Sequence, residues 1–406
     1  MSGPGRAFLD DARAELPRAV ALRRRIHERP ELGLDLPETT AAVLESLDGL
    51  ELEIARSRAT SGLVARLRGG GRGRTVLLRA DMDALPMPDD TGLPFASRVA
   101  GRMHACGHDA HTAMLVSAAH VLARHRSELA GDVLFLFQPG EEGFAGARVM
   151  LGESLFDPAE VAFAFALHID PRVPVGRVAS RAGSLLASAD SFAVQIAGRG
   201  GHASMPHDAL DPIPIACEIV SALQSFVTRR IDAFDPAVVS VTKIAAGTTV
   251  NVIPETAELL GTIRATSPRA RERAHAGVLQ IAEGVAAAHG AKASVTLIEG
   301  YPVTINDERA IGVARRTSAA LLGESAFIDM PAPIMGAEDF SFVLEEVPGA
   351  FVFVGACPPE LDPETAPTNH SAVAQFDDCV LTEGTALYAE LALRRLAQSR
   401  LAQGAA

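Results

Sequence analysis

Three short runs of nearly unbroken apolar side chains constrain this chain most: Thr75-Val-Leu-Leu-Arg-Ala80, Asp132-Val-Leu-Phe-Leu-Phe137 and Val161-Ala-Phe-Ala-Phe-Ala-Leu167. Each has the length of a strand and little polar alternation, as expected of strands in a sheet covered on both faces. After the first run, Met114, Ala118, Val121 and Leu122 follow i, i+4, i+7, i+8 spacing, a helix face that packs on the sheet. Strand, helix, strand, helix, strand argues for an α/β fold with a mainly parallel central sheet. All three runs also end in side chains with chemistry: Asp81 and Asp83, then Glu141 and Glu142, then His168. Open α/β sheets place their sites at that carboxyl edge, and the convergence of three strands says more than any one motif.

Two neighbouring stretches sharpen the reading. Gly101-Arg-Met-His-Ala-Cys-Gly-His-Asp-Ala-His-Thr112 packs three histidines, a cysteine and an aspartate between His104 and His111. Gln138-Pro-Gly-Glu-Glu-Gly143 puts two adjacent carboxylates on a glycine-flanked turn. Thiolate, imidazole and carboxylate together are the ligand set of zinc, manganese or cobalt. A Glu pair beside them suggests that one carboxylate binds metal while the other handles a proton, which is the equipment of a metal-dependent amide hydrolase. A structural zinc knuckle fits poorly, because paired CxxC spacing is lacking and a closed site has no need of Glu141. His120 and His125 read as boundary histidines, and His207 as structural.

Composition narrows the function classes. The 406 residues, 48% of them hydrophobic, can bury a large core and fill two domains. Thirty-seven basic against fifty acidic side chains give a net charge of −13 without a basic patch, which argues against nucleic acid. No run of about 20 apolar residues appears, and Met1-Ser-Gly-Pro-Gly-Arg6 lacks the apolar core of a signal peptide, so a cytoplasmic protein that spans no membrane is expected. Four scattered cysteines suggest no disulfide framework. Cys217 and Cys357 read as buried small hydrophobes.

From about residue 185 the pattern changes to strand, helix, strand, strand, helix, strand: Ser191–Ala197, a helix from Asp211 to about Arg230, Val238–Ile244, Ala257–Arg264, a helix over Pro268–His289, and Lys292–Glu299. That is the split βαβ, ferredoxin-like order of a small α+β domain. The α/β pattern resumes near Tyr301. A domain over 185–297 is therefore expected to be inserted into a discontinuous one made of 1–184 and 298–406.

Seven motifs occur in register with this plan: Asp81-x-Asp83-Ala-Leu-Pro, His104-x-Cys-Gly-His-Asp-x-His111, Gln138-Pro-x-Glu-Glu142, Gly201-His-Ala-Ser-x-Pro206, Asn251-Val-Ile-Pro254, Gly336-x-Glu-Asp339 and Asn369-His370. Over nearly its whole length the chain resembles the hippurate hydrolase and auxin-conjugate hydrolase branch of the aminoacylase/glutamate carboxypeptidase metallopeptidases. The resemblance implies a two-metal catalytic domain with an inserted lid or dimerisation domain. Carried over position by position, it implies Cys106, His108, Glu142, His168 and His370 as metal ligands, Glu141 as general base and His202 as a helper from the inserted domain. The wider superfamily begins its first motif His-x-Asp where this chain has Asp81-x-Asp83, an exchange that the branch shares. Whether Asp81 touches metal, and which atom bridges, stays open; the Cys106 thiolate is favoured as bridge, with Asp83 as an acceptor that orients a ligand histidine.

The chemistry expected is cleavage of N-acyl amino acids (hippurate-like, N-acetyl or aryl-acetyl) to a carboxylic acid and an amino acid. Two divalent ions (manganese, zinc, cobalt or nickel) would share a hydroxide, with Glu141 as base and then acid. Asn251 and Arg264 are candidate substrate residues, the latter as a clamp for a free α-carboxylate. Glu338 is a candidate support of the ligand shell. The expected partners are a small-molecule N-acyl amino acid and a second copy of the chain, as a homodimer or a tetramer. A dipeptidase, carboxypeptidase or N-acetyl-amino-acid deacetylase of the same fold is the nearest rival, and a silent binding protein is disfavoured because every ligand position and Glu141 are filled.

Overall fold

The computed structural model describes residues 4–71 and 73–403. Met1–Gly3, the start of the N-terminal stretch read above, Arg72 and Gly404–Ala406 lie outside the described residues. Among the described residues the chain forms two compact units: residues 1–183, 305–331 and 339–406, and residues 184–304 with 332–338. No helix among them is long and apolar enough to cross a membrane.

The first unit is built on an eight-stranded sheet in the order Glu53–Arg56, Leu63–Leu67, Val133–Gln138, Thr75–Asp81, Val161–Pro174, Gly349–Cys357, Val178–Ser180, Phe327–Asp329. Its four inner strands run parallel, and antiparallel pairs flank them. Every residue of Thr75–Asp81, Val133–Gln138 and Gly349–Cys357 is buried, which is why these runs carry no polar alternation. Helix His108–Arg124 packs on this sheet and between helices Pro4–His27 and Cys379–Gln403. Met114, Ala118, Val121 and Leu122 are buried, but so is nearly every other side chain up to Ala119, as expected of a helix covered all round.

One expected boundary is corrected. The strand from Val161 does not stop at Leu167; it continues to Pro174, held by pairs from His168–Phe353 to Pro174–Cys357. His168 therefore projects from within a strand, which fixes its backbone more firmly than a loop would.

The second unit has a four-stranded antiparallel sheet ordered Ala237–Ala246, Thr256–Ala265, Ala189–Ala197, Lys292–Tyr301, covered by helices Pro212–Arg230 and Pro268–Ala288. Its core runs from Phe192, Val194 and Ile196 to Leu223, Leu259 and Val278. Cys217 is exposed, contrary to expectation. Helix Pro212–Arg230 buries Ile215, Ala216, Ile219, Leu223 and Phe226, and that stripe leaves position 217 outside. Cys357 is buried.

Candidate metal centre and active site

The parallel register brings the site residues together. Arg79 pairs with Ala166 and Asp81 with Gln138, so Asp81, His168 and the turn after Gln138 emerge at one edge. Helix His108–Arg124 starts at the same edge behind Gly107, whose φ of +87° is left-handed. A Cβ there would lie 2.5 Å from Ile169 Cδ1, so only glycine lets Cys106 and His108 sit against the strand that carries His168.

The orientation of each ring follows from its hydrogen bonds. His108 Nδ1 donates to the Asp83 carbonyl (2.8 Å), and His168 Nδ1 donates to the Ile169 carbonyl (2.9 Å). A neutral imidazole with Nδ1 protonated carries its lone pair on Nε2, the atom that can ligate. His168 Nε2 lies 3.3 Å from Cys106 Sγ, and His370 Nε2 lies 3.3 Å from the same sulfur and 3.2 Å from Glu142 Oε1. His108 Nε2 is buried without a hydrogen-bond partner among the described residues, 3.9 Å from Glu142 Oε1, an oxygen that is likewise buried without a hydrogen bond. Within the trio Cys106, His108, His168, and within the trio Cys106, Glu142, His370, the ligand-type atoms all lie within 4.8 Å of one another. Burial raises the Cys106 thiol above its usual value, so a thiolate in this place calls for cationic company. Two buried orphan atoms facing a sulfur and two imidazoles fit divalent cations and fit little else.

His111 and Asp81 are held differently. His111 Nδ1 donates to Asp81 Oδ1 (2.6 Å), while His111 Nε2 accepts the Ile169 amide (2.8 Å). Asp81 Oδ2 accepts from Arg79 (2.6 Å). Burial alone would raise the Asp81 pKa, but the Arg79 guanidinium with His108 and His111 turns the shift downward and keeps the carboxylate ionised. Each of its oxygens thus accepts a hydrogen bond, and Oδ2 also lies 3.6 Å from His108 Nε2. Asp83 does accept from a candidate ligand histidine, as expected, though through its main chain. Its backbone carbonyl orients His108, while its carboxylate accepts the amides of Glu141 (2.9 Å) and Glu142 (3.1 Å). Asp83 thus holds the Glu-Glu turn in place. Glu141 is buried, only 7% exposed, and belongs with His108 and Glu142 to one close group of donor atoms.

Asp339, quoted only as part of a motif, proves to be an anchor. It accepts from Arg79 (2.9 Å), from Gln138 Nε2 (2.8 Å) and from the Ala147 amide (2.9 Å). An arginine at the centre of a buried strand was the available signal, since such a charge needs carboxylates. Glu338, its neighbour in sequence, is also buried.

In the second unit, strand pairing sets Val252 beside His202, so Asn251 and His202 are neighbours, and the Ala203 amide donates to the Asn251 carbonyl (3.1 Å). His202 Nδ1 accepts the Ser204 amide (3.1 Å), so the neutral ring carries its proton on Nε2. Arg264, half-buried and paired in register with Val238, makes no side-chain hydrogen bond or ion pair among the described residues.

The family model described as "Peptidase family M20/M25/M40" matches residues 77–394. The chain is 40% identical over 377 residues to "N-acetylcysteine deacetylase" of Bacillus subtilis, covering 93% of this chain and 96% of that one. It is 38% identical over 383 residues to "IAA-amino acid hydrolase ILR1-like 2" of Arabidopsis thaliana, covering 93% and 85%. A Bacillus subtilis crystal structure titled a dinuclear metal binding peptidase from the M20 family superposes with a TM-score of 0.83 at 36% identity, covering 95% and 99%.

Proposed function

The chain belongs to peptidase family M20/M25/M40, whose members include metal-dependent amidohydrolases and peptidases, and within it we propose a hydrolase of N-acyl amino acids in the hippurate and auxin-conjugate branch. The observation that carries the reading is the meeting of His108, His168 and His370 Nε2 with Cys106 Sγ and Glu142 Oε1. Those five residues would hold two divalent ions. When bound, such ions polarise the amide carbonyl and lower the pKa of water from 15.7 toward about 7.

Glu141 takes the proton of the attacking water and delivers it to the departing amine, so the amino acid leaves neutral rather than as an amide anion. Asp83 fixes Glu141 and Glu142 through their amides, so the base keeps its position as charge moves. His202 keeps an Nε2–H suited to an oxyanion, Arg264 an unpaired guanidinium suited to a free α-carboxylate, and Asn251 lies beside His202; the family resemblance is what gives them these roles in the proposal. The two curated relatives support the acyl-amino-acid reading, since one is named for an N-acetyl amino acid and the other for an amino-acid conjugate. A homodimer is part of the proposal. Its support is the edge strand Ala237–Ala246, which exposes Val238 and Ile244.

The test is a steady-state panel of hippurate, N-acetyl and indole-acetyl amino acids, their carboxyl amides, and dipeptides, each with manganese, zinc, cobalt or nickel. Acyl amino acids should lead in kcat/KM and lose at least tenfold when the carboxylate is amidated. Dipeptides turning over tenfold faster than every acyl amino acid would make the protein a peptidase instead.

A further inference from the structure

We propose that Asn369 is a positioning residue of the metal centre, whose side-chain amide ties the loop bearing His370 to the chain segments bearing Cys106 and His168. The inference rests on the reading of those three residues as metal donors. Asn369 Nδ2 donates to the carbonyl of Cys106 (3.1 Å) and to the carbonyl of Ile169 (3.3 Å). An amide nitrogen has two hydrogens, and both are spent here on backbone of ligand-bearing segments. The Ile169 carbonyl is the same oxygen that receives His168 Nδ1–H (2.9 Å), so Asn369 and the His168 ring share one acceptor. A third bond, from the His370 amide to the Ala105 carbonyl (3.0 Å), completes the stitch.

His370 needs this help more than the other donors do. Its side chain is 53% exposed, so packing does not hold the ring. Its φ of +67° lies in the left-handed region, which residues with a Cβ seldom adopt unless their surroundings impose it. His108 and His168, by contrast, stand on a helix and a strand with Nδ1 tied down. The loop of His370 is thus the donor-bearing segment with the weakest internal support, and Asn369 is the side chain that couples it to the rest. The chemistry of the position is specific. Aspartate would set a carboxylate against two carbonyl oxygens, and serine is too short to span both.

The experiment compares wild type, N369A, N369S and C106A as purified full-length protein, with cobalt(II) or zinc(II) as the probe. Chelator competition gives the affinity, and cobalt absorption reports both the thiolate-to-cobalt charge-transfer band and the ligand-field bands. N369A and N369S should bind about 10–100-fold more weakly, the usual loss when a partner behind a ligand is removed. They should keep the thiolate band with shifted ligand-field bands, and their metal-free forms should unfold near the wild-type temperature. N369A or N369S with affinity within threefold of wild type and unchanged spectra overturns the proposal. So does equal destabilisation of metal-free and metal-loaded forms with wild-type affinity, the mark of a merely structural asparagine. C106A separates the two levels of inference: wild-type metal binding in C106A sinks the donor assignment itself, whereas loss in C106A with none in N369A sinks only the role of Asn369.

Discussion

Two clusters of polar side chains lie at the same edge of the large sheet, and they are built on opposite principles. In the first, Arg79, Asp81, His111, Gln138 and Asp339 are all buried, and no side-chain nitrogen or oxygen among them lacks a partner. In the second, His108 Nε2 and Glu142 Oε1 are buried without hydrogen bonds, and two imidazoles face one sulfur. The closed cluster is scaffold: its charges neutralise one another and its geometry is already complete. The open one is a candidate site, because metal-ligating atoms are bunched there and His108 Nε2 is left over with no hydrogen bond. His108 and His111, one helical turn apart, show that residue type does not decide the matter. What decides it is whether the far ring nitrogen is already spent.

The largest effect should come from the open cluster. Glu141→Gln keeps the size of the side chain and the backbone amide that Asp83 holds, but it removes the proton acceptor. Turnover should fall about 10²–10⁴-fold with metal stoichiometry unchanged, read by kinetics beside elemental analysis. A variant that retains wild-type turnover would take the base role away from Glu141.

The closed cluster should break differently. Arg79→Met leaves Asp81 and Asp339 buried without their shared cation, which costs about 3–5 kcal/mol of stability in comparable buried pairs. Urea unfolding of wild type and R79M, both metal-free, measures the cost. A loss below about 1 kcal/mol would mean that the network is not the scaffold described.

The difference between the clusters also marks what a sequence can reveal. The strands Thr75–Asp81 and Val133–Gln138 were legible because burial on both faces leaves a run of apolar letters. Cys106, His108, Glu142, His168 and His370 were legible through the motifs that carry the family resemblance, and their ligand-type atoms lie close together. The division of labour inside the clusters was not. Nothing in the letters Asp81-Met-Asp83 says that one carboxylate is consumed by Arg79 and His111 while the other accepts two amides of a turn 58 residues away. Such partners are set by strand register and by where the chain returns. Cys217 was misread for a related reason: its helix does bury an apolar stripe, but one position off that stripe faces out. Asn369 stood in a quoted motif, but nothing local pointed to its two backbone acceptors, 200 and 263 residues away.

A second buried network, around Asp109, extends the comparison and gives the smallest of these effects. His27, at the end of helix Pro4–His27, is buried with Nδ1 2.8 Å from Asp109 Oδ2 and Nε2 3.3 Å from Asp89 Oδ2, and Arg23 also donates to Asp109 (3.2 Å). With a carboxylate on each ring nitrogen, both must carry hydrogens, so the ring is an imidazolium. Burial alone would lower its pKa; the charge of Asp109 and the bonds to Asp109 and Asp89 outweigh that and push it up to about 9. The neighbouring His104, with neither ring nitrogen bonded among the described residues, is pushed by burial down to about 3 and stays neutral. Because the folded pKa of His27 lies above the unfolded value of 6.5, its contribution is complete below pH 6.5 and is lost as pH rises through about 9. The amount is on the order of 3 kcal/mol, or 1.36 kcal/mol for each pH unit across that window. Urea unfolding of metal-free wild type and His27→Gln from pH 6 to pH 10 isolates it, since metal affinity has its own pH dependence. The stability gap between the two proteins should narrow steadily between pH 6.5 and 9. A gap independent of pH would mean that His27 is already neutral in the fold, and that its two carboxylates are held by other donors.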